Sequence, residues 1–518
     1  MSAIWTGVSG LLTYSQGIAN SATNLANSGT VGYKSSRMLF ADMVSEMAGG
    51  TSDNSQMGTG VAVGTVSMNT SVGDLSSASG SMDMAITGER GYFTVKDPDT
   101  DAISYTRAGN FNFDTDGYLV TATGEHVQGW AVDQDAVTSA ERTGTILSEV
   151  PTTGDVTDIQ IKDFSVDGQA TGQVTMDVNL DSTTTPGELD ASNPYFTMFT
   201  NYNAENDPAI SDADYSTEMT VYDAEGGKHT LTTSYSKVTD ENGKEYWEYM
   251  VTVPPEDDGN TATAGTSKAG VLMIGTLTFS AQGVLENETA FSPSGGDATD
   301  LSNWTQASVD ASGVPQISAT FNSDTSGSAL ASQSISFKTG LSSSEKAWNS
   351  DAAATAADIG TSAAANAGFT ISSTENDATC TTNYATSSYT LSSEQDGYAP
   401  GELISTSVDE NGVISGTFSN GQTKDLYVVT LAEFRNPTDL YREGNNLLSA
   451  TADSGEATYG RANSGIFDSI SGYSLEQSNV EMATEMVNLI TLQRSFESNS
   501  KVVTTADSMM QTALSIRK

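Results

Sequence analysis

Cysteine, histidine and basic residues are scarce in this chain. Its 518 residues hold one cysteine, Cys380, and two histidines, His126 and His229. One thiol excludes an internal disulfide framework and any thiolate cluster. Two imidazoles leave little for a histidine metal site or proton relay. Lys and Arg total 21 against 66 Asp and Glu, a formal net charge of −45. A surface so acidic cannot neutralise a phosphate backbone or dock on anionic lipid, so neither nucleic acid nor a membrane is an expected partner. No apolar stretch approaches the ~18 residues that span a bilayer. The first basic residue is Lys34, which leaves no charged region for a cleavable leader. Yet a composition that is acidic and rich in Thr, Ser and Gly suits the outside of a cell. Export without a cleaved signal peptide is therefore the expectation.

At roughly 100–200 residues per domain, the length predicts several domains. Both ends read as helices and the middle as strands. Ile4, Val8, Leu11, Ser15, Ile18, Ala22 and Leu25 alternate spacings of four and three, a heptad stripe. Gly7, Gly10 and Gly17 fall inside the segment, and each costs about 1 kcal/mol relative to Ala. A lone helix of this quality is marginal in water and needs a partner. At the other end Met482, Met486, Leu489, Gln493, Phe496, Ser500, Val503, Asp507, Met510 and Leu514 repeat the spacing. Val480, Ala483, Val487 and Ile490 widen that stripe, and Ser474 or Ser478 could cap a helix starting near Leu475. The two stripes can bury each other in a hairpin, or bundle with those of neighbouring copies.

The expected fold is α+β and multidomain: paired long terminal helices in a coiled-coil-like inner domain, with several nested all-β domains between them. The helical domain is expected over 1–34 and 472–518. Gly, Ser, Thr and Asn around 49–60 read as part of a linker over 35–74. An inner β domain is expected over 75–150 and 391–471, and outer β domains over 151–258 and part of 259–390. Asp116-Gly117, Asn242-Gly243, Asn411-Gly412 and Asn420-Gly421 favour positive φ and tight hairpins. The Ala-rich stretch 352–367 reads equally as a short helix or a flexible linker.

No catalytic constellation survives inspection, and neither a cofactor nor a metal is expected. Asp97, Asp99 and Asp101 open like a calcium loop, but Ala102 stands where its glycine belongs and Ala108 where its last glutamate belongs. Asp257 and Asp258 read as solvated loop acids, His229 as an ordinary strand histidine, and Cys380 as an unpaired thiol.

Two strings at the ends carry more. Asn24-Leu25-Ala26-Asn27-Ser28-Gly29-Thr30-Val31-Gly32-Tyr33-Lys34 resembles the N-terminal signature of bacterial flagellar axial proteins, the rod and hook family. Leu475-Glu476-Gln477-Ser478-Asn479-Val480-Glu481-Met482, continued by Glu485, Gln493-Arg494 and Asn499, resembles the matching C-terminal signature. The interior resembles the hook branch of that family. Met82-Asp83-Met84-Ala85-Ile86-Thr87-Gly88 and Tyr105-Thr106-Arg107-Ala108-Gly109-Asn110-Phe111 look like segments shared by rod and hook. Thr220-Val221-Tyr222-Asp223 and 396–403 look like an outer hook domain.

The resemblance implies a structural, non-enzymatic subunit. It would self-assemble into a hollow curved tube, the universal joint that passes motor torque to the filament; the alternative is a distal rod subunit. The implied seam residues are Ile4, Val8, Leu11, Ile18, Ala22, Leu25, Met482, Met486, Leu489, Phe496, Val503, Met510 and Leu514. The implied signature residues are Asn24, Ala26, Asn27, Gly32, Tyr33, Lys34, Ser478, Asn479, Val480, Gln493 and Arg494. The implied partners are further copies of the chain, the flagellar export apparatus, and the hook cap, distal rod and hook–filament junction proteins. The implied location is the extracellular flagellum.

Overall fold

A computed structural model describes residues 2–45, 57–143, 145–162, 164–187, 194–206, 210–240, 243–323, 328–360 and 365–516. It is mostly β, with few helices. The chain divides into two units, 1–164 with 403–518, and 165–402.

The first unit holds both terminal helices, Ser2–Ala26 and Met482–Ile516. The C-terminal helix starts later than its periodicity suggests. Leu475 and Glu476 lie instead in a short strand, Ser474–Glu476, paired with Leu75–Ser77. Backbone hydrogen bonds to a neighbouring strand take the place of a first helical turn there.

The stretch expected to be a linker is an antiparallel pair, Ser36–Ser45 with Met57–Met68, running from Ser36 opposite Met68 to Ser45 opposite Met57 with register shifts at Leu39/Phe40 and Met43/Val44. Its Gly and Ser content disguises a β pattern: Met38, Phe40, Val61, Val63 and Val66 supply strand-forming side chains. The pair also has a helix to lie on. Phe40 meets Tyr14 at 5.4 Å between ring centroids, and the Thr13 hydroxyl donates to the Val61 carbonyl at 3.0 Å. Residues 46–56 of the supposed linker lie outside the described residues.

The main sheet of this unit is antiparallel. Its strands run Val413–Phe418, Thr423–Glu433, His126–Val132, Tyr92–Lys96, Ile103–Thr106, Leu447–Ser449 and Tyr441–Gly444 in spatial order. Ile86, Phe93, Val95, Leu119, Val127, Val429 and Leu431 form its buried core, where Phe93 meets Phe111 edge to face at 5.2 Å. Thr152–Asp158 pairs with His126–Val132. The boundary therefore falls after residue 164 rather than at 151. Residues 391–402 belong to the second unit, because Tyr389–Gln395 pairs with Gln173–Asn179.

The second unit contains a six-stranded antiparallel sheet, ordered Tyr215–Tyr222, Lys228–Thr239, Glu245–Thr252, Val271–Phe279, Leu285–Pro293 and Trp304–Gln306. A four-stranded sheet of Gln316–Ala319, Gln333–Lys338, Gln173–Asn179 and Tyr389–Gln395 shares a core with it, including Met176, Leu231, Trp247, Ile317 and Phe337. Residues 259–390 thus continue one unit. The Ala-rich stretch is packed rather than loose. It forms a 3-10 turn, Ala356–Asp358, and buries Ala353, Ala356 and Ile359 beside Trp304; residues 361–364 lie outside the described residues.

Two acids thought to be solvated are anchors. Asp258 is buried and accepts hydrogen bonds from the Thr263 hydroxyl at 2.6 Å and the Gly270 amide at 2.8 Å. Asp257 lies 3.2 Å from Nδ1 of buried His229, whose Nε2 is 2.9 Å from Asp223. The imidazole stacks on Phe321 at 4.3 Å. Another acid, Glu248, accepts from the amides of Met198 and Phe199 at 2.9 and 2.8 Å, satisfying the N-terminus of the short helix Thr197–Asn201. Lys268 donates to the Thr200 and Tyr202 carbonyls at its other end, at 3.1 and 2.6 Å. A helix of five residues cannot hold itself, so hydrogen bonds to Glu248 at one end and from Lys268 at the other supply what its own ladder lacks.

Glu288 sets a pH dependence for this unit. Full burial raises its pKa to about 8, although one oxygen accepts from the Thr339 hydroxyl at 2.7 Å. The folded state therefore holds a proton that the unfolded chain releases near pH 4.5. The stabilisation is complete below pH 4.5 and is lost as pH rises through 8. Chemical denaturation of the second unit is expected to show falling stability between pH 5 and 8. Glu248, whose pKa burial also raises to about 8, adds to the slope, so Glu288→Gln should reduce it without abolishing it and gain on the order of 4 kcal/mol over the parent at pH 8. An unchanged slope contradicts the assignment.

Candidate functional site: a clasp between the ends and the helices it holds

The loop after the N-terminal helix folds onto the start of the C-terminal segment. Gly32 sits at φ +69°, and a Cβ there would lie 2.5 Å from the Ala108 amide nitrogen. Only glycine tolerates both the backbone sign and this approach. The turn delivers Lys34 into the interior, where its Nζ lies 2.6 Å from Oε1 of Glu476 and 2.7 Å from the Ser71 carbonyl. The other Glu476 oxygen is 3.4 Å from Nη1 of Arg107. The three side chains are at most 3% exposed. Arg107 also donates to the Gly88 and Glu89 carbonyls at 2.9 and 2.5 Å. The Gly73 amide donates to Glu476 at 2.9 Å. One carboxylate thus holds two buried cations, and burial, helped by Arg107, lowers the Lys34 pKa.

Two asparagines extend the clasp. Asn24 is buried; its Nδ2 donates to the Ser36 carbonyl at 2.8 Å and to Glu485 at 3.1 Å, and its Oδ1 accepts from the Ser36 amide at 2.9 Å. Tyr33 donates to the same Oδ1 at 3.3 Å, and Arg442 lies over the Tyr33 ring at 5.2 Å. Asn479 accepts from the Ser35 amide at 2.7 Å and donates to the Asn69 and Ser71 carbonyls at 3.0 Å each. Asn27 closes the helix locally, donating to the Thr23 carbonyl at 2.9 Å. Ser478 accepts from the Val480 amide at 3.3 Å. Ala26, Gln493 and Arg494 are exposed and stand outside this network.

The helices meet on a face different from the expected stripe. Gly7, Gly10, Thr13, Gly17, Ser21 and Asn24 are buried. A Cβ at Gly7 would come within 2.7 Å of Val503, one at Gly10 within 2.6 Å of Asn499, and one at Gly17 within 3.1 Å of Leu492. The glycines that weaken the helix are the ones that let its backbone approach a neighbour. Of the expected seam, Ile4, Val8, Leu11, Ile18, Leu25, Leu489 and Val503 are half-buried, while Ala22, Met482, Met486, Phe496, Met510 and Leu514 are exposed. The stripe is real as a pattern, but a single chain does not bury it.

Sequence reasoning missed the partners of Lys34. Arg107 and Glu476 stood inside quoted strings without a role. The signal was available, because a first charge arriving at residue 34 inside a fixed motif needs a countercharge.

Three family models match the chain: the flagellar hook protein FlgE/F/G D1 domain over residues 85–176, the flagellar basal body protein FlaE D2 domain over 188–398, and the flagellar basal body rod FlgEFG protein C-terminal over 471–516. The flagellar hook protein FlgE of Escherichia coli strain K12 is 26% identical across 98% of this chain and 98% of its own. That of Treponema pallidum is 28% identical across 100% of both. A crystal structure of Helicobacter pylori flagellar hook protein FlgE2 aligns with 74% of this chain and 98% of its own, at 14% identity and a TM-score of 0.40. With its end signatures joined in one clasp and these domain models falling in order along it, the chain belongs to the flagellar rod and hook family of axial proteins.

Proposed function

We propose that this chain is the structural subunit of the bacterial flagellar hook, the curved tube that passes torque from motor to filament. The observation that carries assembly is the apolar surface of the helices. Trp5 is 69% exposed, Leu12 65%, Met482 59% and Leu514 68%. Covering each large side chain is worth roughly 1.5–3 kcal/mol. Residues from both helices contribute, so copies of the same pair are the natural cover. In the tube the helices form a coiled-coil-like inner layer that carries torque, and the nested β units face outward. Hydroxyl-rich, acidic surfaces on those units favour sliding, because an apolar interface would lock.

On this reading the partners are further copies, the export apparatus, the hook cap, the distal rod and the hook–filament junction proteins. The location is outside the cell, reached without a cleaved signal peptide. A chain with one cysteine suits transit as an unfolded thread. Full-length similarity to hook proteins and the match of residues 188–398 to a D2 domain favour hook over distal rod. Electron microscopy of a strain lacking the gene tests the choice. Complete rods bearing neither joint nor filament are expected; rods that stop short of the joint overturn the hook in favour of the rod.

A further inference from the structure

We infer that Arg494 of one copy binds Glu485 of the next, locking the back of one C-terminal helix into a groove on its neighbour. The inference rests on the hook-subunit reading and adds the contact that gives assembly its direction.

The groove lies between the two terminal helices and the strand pair Ser36–Ser45 with Met57–Met68, and encloses about 800 Å³. Its walls are mostly small and polar, and two charges line it, Glu485 and Arg37. Oε1 of Glu485 accepts from Asn24 at 3.1 Å. Its Oε2 is buried and has no hydrogen-bond partner among the described residues. An unmatched carboxylate oxygen is costly and calls for a donor. Arg37 forms no ion pair among the described residues. Rotation about the last torsion of Glu485, which has broad wells, presents the free oxygen to the groove.

The complementary charges are on the other side of the same helix. Arg494 follows Glu485 by nine residues, which at ~100° per residue turns it to the opposite face. Glu497 follows one turn later, on Arg494's side. Both are exposed, and neither forms an ion pair among the described residues. The groove offers an acid and a base; the back of the helix offers a base and an acid. A guanidinium can take a carboxylate with two parallel hydrogen bonds. Because the two surfaces lie on opposite faces, the contact is heterologous: each copy keeps one free end, and the chain of contacts grows into a ring or open helix instead of closing as a dimer.

Growth of purified full-length chain from sheared polymer seeds, measured by pelleting, tests this. Glu485→Arg alone and Arg494→Glu alone are each expected to lower the yield at least tenfold. An equimolar mixture of the two single variants, and the double variant, should each regain most of it, since every junction then pairs opposite charges. Arg494→Gln, a surface change that spares folding, should also lose yield, and the Arg37→Glu with Glu497→Arg exchange should behave as a second such pair. Single variants that grow like the parent overturn the inference, as does a mixture or double variant no better than the singles. A parent chain that never forms tubes overturns the hook-subunit reading instead.

Discussion

Replacing Glu476 with Ala is expected to cost the first unit about 3–5 kcal/mol. The carboxylate holds Lys34 at 2.6 Å and Arg107 at 3.4 Å, and none of the three reaches solvent appreciably. Removing the acid leaves two cations together where water cannot screen them. Arg107 keeps the Gly88 and Glu89 carbonyls and Lys34 keeps Ser71, which limits the loss but cancels no charge. Burial already lowers the Lys34 pKa against the pull of Glu476, so losing Glu476 drives it lower and sheds the ammonium proton more readily. Hydrogen exchange read peptide by peptide separates the units. Protection should fall in Tyr92–Lys96, His126–Val132 and Thr423–Glu433, while Lys228–Thr239 and Val271–Phe279 keep theirs. A loss below 1 kcal/mol, or one shared by both units, contradicts the clasp.

What was legible in the sequence follows from the range of the interaction. The terminal helices announce themselves because heptad spacing is a local signal. Turns do too: Asp116-Gly117 joins Asn112–Phe113 to Leu119–Val120, and Gly117, Gly243, Gly412 and Gly421 all take positive φ. The strand pair over 36–68 was hidden because Gly and Ser content mimics a linker, while the helix on which the strands lie is remote in sequence. The Lys34–Glu476 contact joins residues 442 apart, a separation no spacing rule reaches; only the paired motifs hinted at it. The heptad stripe was legible from spacing, with its cover left open between the same chain and neighbouring copies. Periodicity reveals that a face must be buried, and not whether the cover comes from the same chain. The small residues between its members make the intrachain contact, and their role appears only once the distance to Val503 and Asn499 is known.

Deleting residues 2–21 is expected to abolish tube formation and leave both β units folded, whereas deleting residues 2–34 should also loosen the first unit. The shorter deletion removes Gly7, Gly10 and Gly17 from the face of the C-terminal helix and removes Trp5 and Leu12 from the surface offered to other copies. It spares Asn24, Tyr33 and Lys34, so the hydrogen bonds to Ser36 and the ion pair with Glu476 survive. The C-terminal helix then has no companion for Leu492, Asn499 and Val503, and a long helix with its apolar surface uncovered frays in water. The longer deletion takes Lys34 as well. Glu476 is left with Arg107 alone, and the Ser71 carbonyl loses its donor. That adds a penalty on the order of 3 kcal/mol in the first unit. Pelleting of polymer and hydrogen exchange of the monomer together make the comparison. Zero polymer from both deletions, with protection lost in Tyr92–Lys96, His126–Val132 and Thr423–Glu433 only after the longer one, is the expected pattern. Tubes from the shorter deletion contradict the helical inner layer. Equal protection in the two monomers contradicts the claim that Lys34 stabilises the fold as well as marking the family.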